Sequence, residues 1–244
     1  KEQNLEPNME KILDEKLNEF PDKENYQKKV NDMKYLTTLE RKQEQGLEFS
    51  NDDLTFLYEF NNKIEGFGWG RDPRIIEILQ KRNFKKDLVN IFKISEQEIA
   101  TSLSEFEENE NIRAFYGDLI WKEDKLPSSF SKLQVITGDA NFASLTSAES
   151  LNSLQKIGKV ANFSSLISAK GLDSLQNIGG FAYFNNLISA KGLNSLQNIR
   201  GDANFASLTS AQGLESLKNI GGYALFSSLT SIEGLNSLQS VGYT

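Results

Sequence analysis

The chain has 244 residues with 27 Lys/Arg against 34 Asp/Glu, and it contains neither histidine nor cysteine. Their absence removes Ser-His and Cys-His nucleophile pairs, a disulfide framework and zinc knuckles. A net charge of −7 with no basic stripe argues against nucleic acid, and no apolar run approaches the length of a membrane-spanning helix.

Residues 1–111 hold most of the charge and read as a small all-helical domain of four or five helices. Met9, Ile12, Leu13 and Leu17 lie on one helical face. Tyr26, Val30 and Met33, followed by Leu36 and Leu39, make another. Residues 1–45 are expected to be loosely packed, because charge is high and large hydrophobes are few. Asn51-Asp52-Asp53 starts a helix carrying Leu54, Leu57 and Tyr58, with Phe56 and Phe60 as a second apolar pair. Asp72-Pro73 is a cap followed by a first-turn proline, ahead of Ile75, Ile76, Ile78 and Leu79. Ser95 and Glu98 have the spacing of a capping box.

Between these helices lies Ile64-Glu-Gly-Phe-Gly-Trp-Gly-Arg-Asp-Pro-Arg74. Its alternate glycines lack the Gly-Lys-Ser/Thr ending of a phosphate loop, and a helix, not a strand, precedes it. It reads as a helix C-cap and loop that packs Phe67 and Trp69 into the domain or against the first coil. Alternatively, Phe67, Trp69, Arg71 and Arg74 form a partner-binding loop.

From Leu133 onward the chain is a tandem repeat. Leu133, Leu154, Leu175, Leu196, Leu217 and Leu238 recur with a constant 21-residue period. Counting the leucine as position 1, position 4 is Ile or Val, position 8 is Ala, position 10 is Phe, and positions 13 and 19 are Leu. Positions 8 and 10 alternate with variable residues, the period of a strand. Positions 13, 16 and 19, then 1 and 4 of the next unit, are three apart, which suits short segments bending round a triangular coil. Glycines at positions 5, 6 and 18 are expected to supply corners with positive φ. Such a coil cannot bury its apolar face alone and must stack into a solenoid, with the Phe column as an internal stack. Serines at positions 15 and 21 recur in every unit and read as structural ladders. One period upstream of Leu133, Ile136, Ala140, Phe142 and Leu151 lie Ile112, Phe115, Leu119, Trp121 and Phe130, all apolar. Residues 112–132 are therefore expected to form a degenerate capping coil. Thr244 stops at position 7 of a unit, so the C-terminal end is expected to be open, with the natural protein continuing.

The run Leu229-Thr-Ser-Ile232, Leu235, Leu238, Val241-Gly242 resembles the bacterial leucine-rich repeats of the BspA type, and Leu126-Pro127…Phe130…Leu133 adds their proline. The Ile-Gly-Gly corner is also similar to receptor L-domain β-helices. The likeness covers about residues 112–244 and departs in its 21-residue period and its Ala-x-Phe order. It implies a right-handed, strand-rich solenoid with a binding or adhesive role. The fold class is therefore α+β, with a helical domain (1–111) followed by a right-handed parallel β-solenoid (112–244).

If Ala and Phe face inward, positions 7, 9 and 11 face outward. There the repetition breaks, and Val160, Phe181, Tyr183, Tyr223 and Leu225 put large hydrophobes among the asparagines Asn162 and Asn204. Apolar patches of this kind mark interaction sites, or a face covered by the helical domain or by another copy. The expected function is a non-enzymatic module that recognises a protein or a surface glycan, with face-to-face or end-to-end self-association as a further option. A structural stalk or adhesin segment is the alternative. Paired carboxylates remain open as catalytic chemistry, but the acids fall on predicted helix faces. No cofactor or metal is implied, and the composition suits either the cytoplasm or a bacterial surface.

Overall fold

In a computed structural model, residue 16 and residues 23–68 and 70–242 are described. The first amphipathic face, Met9 to Leu17, lies outside them, as do Trp69 and Thr244. The fold is α+β: a helical part, then a parallel β-solenoid of 21-residue coils. The chain divides into two compact units between Phe84 and Lys85.

The helical unit contains α1 (Lys23–Glu44), α2 (Asn51–Leu57) and α3 (Pro73–Gln80). The i, i+3 spacing of Leu36 and Leu39 places both in the core, where they are fully buried with Leu54, Leu57 and Ile75. Ser50 caps α2. Its hydroxyl accepts the Asp53 N–H at 3.2 Å, and the Asp53 carboxylate accepts the Ser50 N–H at 2.8 Å. That same carboxylate accepts the Tyr35 hydroxyl at 2.9 Å and the Lys42 ammonium at 2.6 Å, so one buried acid ties α2 to α1. Asp72 caps α3 with Pro73 in its first turn, as expected. The Arg74 guanidinium donates to both Asp72 oxygens and to the Thr37 hydroxyl, tying α3 to α1.

The second unit opens within α4 (Phe84–Phe92) and continues with a short turn at Glu96–Glu98 and β1 (Ile99–Ala100). The Ser95 N–H and hydroxyl both donate to Glu98, so the predicted pair does cap this turn. After α5 (Ser104–Glu108) come β2 (Ala114–Phe115), β3 (Leu119–Ile120), β4 (Val135–Ile136), β5 (Ala140–Asn141), β6 (Lys156–Ile157) and β7 (Ala161–Asn162). They continue as β8 (Asn177–Ile178), β9 (Ala182–Tyr183), β10 (Asn198–Ile199), β11 (Ala203–Asn204), β12 (Asn219–Ile220), β13 (Ala224–Leu225) and β14 (Ser240–Val241). Positions 3 and 4 of each coil build an eight-stranded sheet in the order β1-β2-β4-β6-β8-β10-β12-β14. Positions 8 and 9 build a six-stranded sheet in the order β3-β5-β7-β9-β11-β13. All pairs are parallel, and between β2 and β14 each position pairs with its equivalent one coil away, for example Asn177↔Asn198. Bridges Ser168↔Ser189↔Ser210 mark a third side, which makes the coil triangular.

The invariant columns fill the interior. Phe142, Phe163, Phe184 and Phe205 are fully buried and stack on one another and on Phe226 with centroids 5.3–5.4 Å apart. Each ring contributes about 2–3 kcal/mol of burial, an upper value for a compact unfolded reference. At the N-terminal end, Ile112, Phe115, Leu119 and Phe130 are buried, one period upstream of their equivalents in the first regular coil. The ladder starts earlier than residue 112, however. β1 pairs with β2 across a 15-residue step, and Phe106 of α5 lies flat on Phe130 at 4.2 Å. Residues 99–111 carry no sign of the repeat period, but they close the apolar end of the stack.

The glycines divide into two kinds, which corrects the expectation of positive φ at all three columns. At position 18, Gly171, Gly192, Gly213 and Gly234 do adopt φ from +97° to +112°. At position 5, φ is not positive. A Cβ on Gly179 would lie 2.0 Å from the Gly158 carbonyl oxygen, so what excludes a side chain is the neighbouring coil. The position-15 serines accept the N–H two residues on, as in Ser168 to Lys170 at 3.4 Å and Ser231 to Glu233 at 3.2 Å, so this column is a structural ladder.

Candidate functional site

The outward face of the six-stranded sheet carries two columns with a structural default. At position 9 the default is asparagine. The side-chain oxygens of Asn141, Asn162 and Asn204 accept the N–H two residues on, at 3.3, 3.2 and 3.0 Å, and so close the turn after each strand. At position 7 the default is aspartate. Asp118, Asp139 and Asp202 each accept the N–H of the residue one coil further on, Asp139, Val160 and Tyr223, at 2.9 to 3.0 Å. The Asp139 N–H holds the Asp118 carboxyl below its ordinary range, helped against partial burial by the Lys159 ammonium.

Five of the residues singled out from the sequence break these defaults. Val160, Phe181 and Tyr223 stand where aspartate serves elsewhere, and Tyr183 and Leu225 replace the turn-closing asparagine. Val160 is half-buried, whereas Phe181, Tyr183, Tyr223 and Leu225 are 42, 36, 56 and 47% exposed. Phe181 and Tyr183 sit together, their ring centroids 6.3 Å apart. At the capping end Ile120, also at position 9, is 52% exposed and belongs to the same column, which sequence reasoning missed. The coil of Tyr183 carries a further cost, because the buried Asn185 side-chain oxygen has no hydrogen-bond partner. Of the seven candidates on this face, Asn162 and Asn204 are accounted for by their own turns. None of the five hydrophobes carries the side-chain carbonyl or carboxylate oxygen that makes these bonds.

Comparison with protein-family models, with curated proteins and with solved structures finds no match.

The glycine loop resolves differently from its sequence reading. Phe67 does not pack into the core; it is 61% exposed, and its ring is tilted against that of Tyr26 with centroids 5.6 Å apart. Ile64 fills the core position instead, at 3% exposure, and the Ile64 and Glu65 N–H groups are held by Glu59 and Asp32. Arg71 is ion-paired with Glu59 at 2.6 Å, and Arg74 is occupied by Asp72 and Thr37. Both arginines therefore have structural partners. Trp69 lies outside the described residues.

Two features of the eight-stranded sheet were not anticipated. Position 3 carries a side-chain amide ladder. Asn198 donates to Asn177 at 2.9 Å, Asn219 donates to Asn198 at 2.8 Å, and the Ser240 hydroxyl donates to Asn219 at 2.9 Å. The recurrence of these asparagines once per coil was the available signal. One coil before Asn177 the column holds Lys156, whose ammonium is pushed down to about 7 by burial and, secondarily, by the positive charge of Arg200. The exposed corner column pairs Glu149 with Lys170 at 2.6 Å, ordinary solvated chemistry.

Among the described residues no group of three or more acids is placed to hold a metal ion. A cleft of about 700 Å³ in the helical unit is lined by Lys28, Asp32, Asp52, Phe56 and Lys63. Lys28 and Asp32 are paired there at 2.5 Å. No described helix is long and apolar enough to cross a membrane.

Proposed function

We propose that the chain is a non-enzymatic binding module whose solenoid presents the six-stranded face to a protein partner. The observation that carries this reading is the loss of defaults. At positions 7 and 9 a hydrogen-bonding Asp or Asn is replaced by a hydrophobe five times between Val160 and Leu225, and four of those five are exposed. Folding alone favours the polar residue at each place, because it satisfies a backbone donor and keeps apolar surface out of water. Aromatic side chains with a polar tip are the usual anchors of protein interfaces. The leucine-rich-repeat likeness, with its adhesive role, agrees with this reading.

The test starts by capturing partners from the source organism with the intact protein and identifying them. Their affinities are then compared for wild type and for Tyr183→Ala/Tyr223→Ala. Loss of two anchors should weaken the relevant partner by at least about 30-fold, roughly 2 kcal/mol. Unchanged affinity for every captured partner would sink the proposal. Binding to purified surface polysaccharide with the same sensitivity to the two tyrosines would move the reading from protein to glycan. Uniform core columns also suit a stalk or spacer. In that case the double variant is silent, while changing the number of coils alters function.

A further inference from the structure

The hydrophobes of the six-stranded face follow an order along the solenoid axis. Of its six rows at positions 7 and 9, the second (Asp139, Asn141) and the fifth (Asp202, Asn204) are wholly polar. The outer rows carry Ile120 at one end and Tyr223 with Leu225 at the other. The two central rows carry Val160, then Phe181 with Tyr183. Apolar and polar rows therefore alternate in the same order from either end. The rows are one coil apart, about 4.8 Å, so a partner that meets all six needs the same pitch. A second solenoid of this chain has that pitch, and a two-fold axis makes the two contributions identical.

We propose that the partner is a second copy of this chain, packed sheet against sheet with its solenoid axis antiparallel. The two-fold axis runs along the strands, between the coils of Val160 and Phe181. Like positions then face each other across the interface. Ile120 meets Leu225, Val160 meets Phe181, and Asn141 meets Asn204. One pairing opposes the dimer, because Asp139 faces Asp202. Both carboxylates hold a backbone N–H of the next coil, Val160 at 3.0 Å and Tyr223 at 2.9 Å, so folding keeps them there. Six rows, each the width of a short strand and its turn, give about 500 Å² per copy. Roughly 1,000 Å² in all lies at the low end of specific interfaces, so the dimer is weak and reversible. Such a dimer requires that the six-stranded face bind protein, as proposed above.

Sedimentation velocity of the intact chain over roughly 1–300 µM should show a shift from monomer to dimer. Tyr183→Ala/Tyr223→Ala should weaken it at least about 10-fold. Asp139→Asn keeps an oxygen for the Val160 N–H, removes the repulsive pairing and should tighten the dimer a few-fold. The chain has no cysteine, so Asn141→Cys and Asn204→Cys report orientation cleanly. Position 9 tolerates the loss of asparagine, since Tyr183 and Leu225 stand there. Under mild oxidation the two cysteine variants should cross-link when mixed and not when alone. A chain that stays monomeric throughout, or a dimer indifferent to the two tyrosines, overturns the proposal. So does a dimer that Asp139→Asn fails to tighten, a mixed sample that dimerises without cross-linking, or a variant that links to itself. A monomeric chain whose captured partners still depend on Tyr183 and Tyr223 would overturn the dimer alone and leave the face as a binding surface.

Discussion

Asp53 is one of two charged residues buried among those described, and it has four donors around it. Burial alone would raise its pKa. The Lys42 ammonium, the Ser50 N–H and the Tyr35 hydroxyl reverse that and hold it below the ordinary carboxylate range. Tyr35 responds in the opposite sense and is pushed up to about 12, by burial first and then by the carboxylate beside it. The sign of the linkage follows from the depressed value. Stability from Asp53 is fully present above about pH 4, the unfolded carboxylate pKa, and is lost as pH falls through the folded value. Asp53→Asn should cost about 2–4 kcal/mol at pH 7, and the gap from wild type should narrow as pH falls below 4 in denaturant titrations. An unchanged gap at pH 3 would contradict this assignment. Gly192 shows the same dependence on one position in the solenoid. Its φ is +112°, and a Cβ would meet the Ala169 carbonyl oxygen at 2.2 Å. Gly192→Ala should cost about 1–3 kcal/mol or more, whereas alanine at Gly68, which has open space around it, should have little effect; thermal melts separate the two.

Each strand has only two residues, too short to persist alone, and gains stability by pairing with the coils above and below. The phenylalanine stack is the apolar counterpart of that ladder. Phe184 has a ring on either side, while Phe226 is half-buried at the end of the series. Phe184→Ala should cost about 3–5 kcal/mol and Phe226→Ala clearly less, as read by urea unfolding; equal losses would mean that the stack does not couple neighbouring coils. These elements were largely legible beforehand, because a column that repeats five times averages out local ambiguity. Ala182 and Phe184 alternate as a strand must, and the repeat period carried one coil upstream located the buried Phe130. What was not legible occurs once, or depends on contact between coils. Residues 99–111 carry no repeat and join the ladder through β1 and Phe106. The crowding at Gly179 comes from a carbonyl one coil away, and the burial of Ile64 with Phe67 left exposed goes with bonds from the Ile64 and Glu65 N–H groups to Glu59 and Asp32. On the candidate face, the departures from repetition were visible in the sequence. The polar bonds that Tyr183 and Val160 forgo were not, since they appear only once Asn162 and Asp139 are seen at work.

At the scale of the whole chain, the solenoid is built from interchangeable parts. Removing residues 196–216 deletes one complete coil and brings Ser195 to Leu217 in the same register. The shortened protein should fold with an unchanged circular dichroism shape and a lower melting temperature, whereas deleting 197–216 alone leaves the columns out of step and should abolish cooperative melting. The same construction shapes the response to force. Each coil is held only by its neighbours, so tension applied to the two ends of the solenoid opens it from an end, one coil after another. Every event releases one coil of chain as slack, roughly 70 Å, in place of a rise of about 4.8 Å. Optical-tweezer traces should therefore show a train of near-equal steps, the length of the solenoid growing in fixed increments under load.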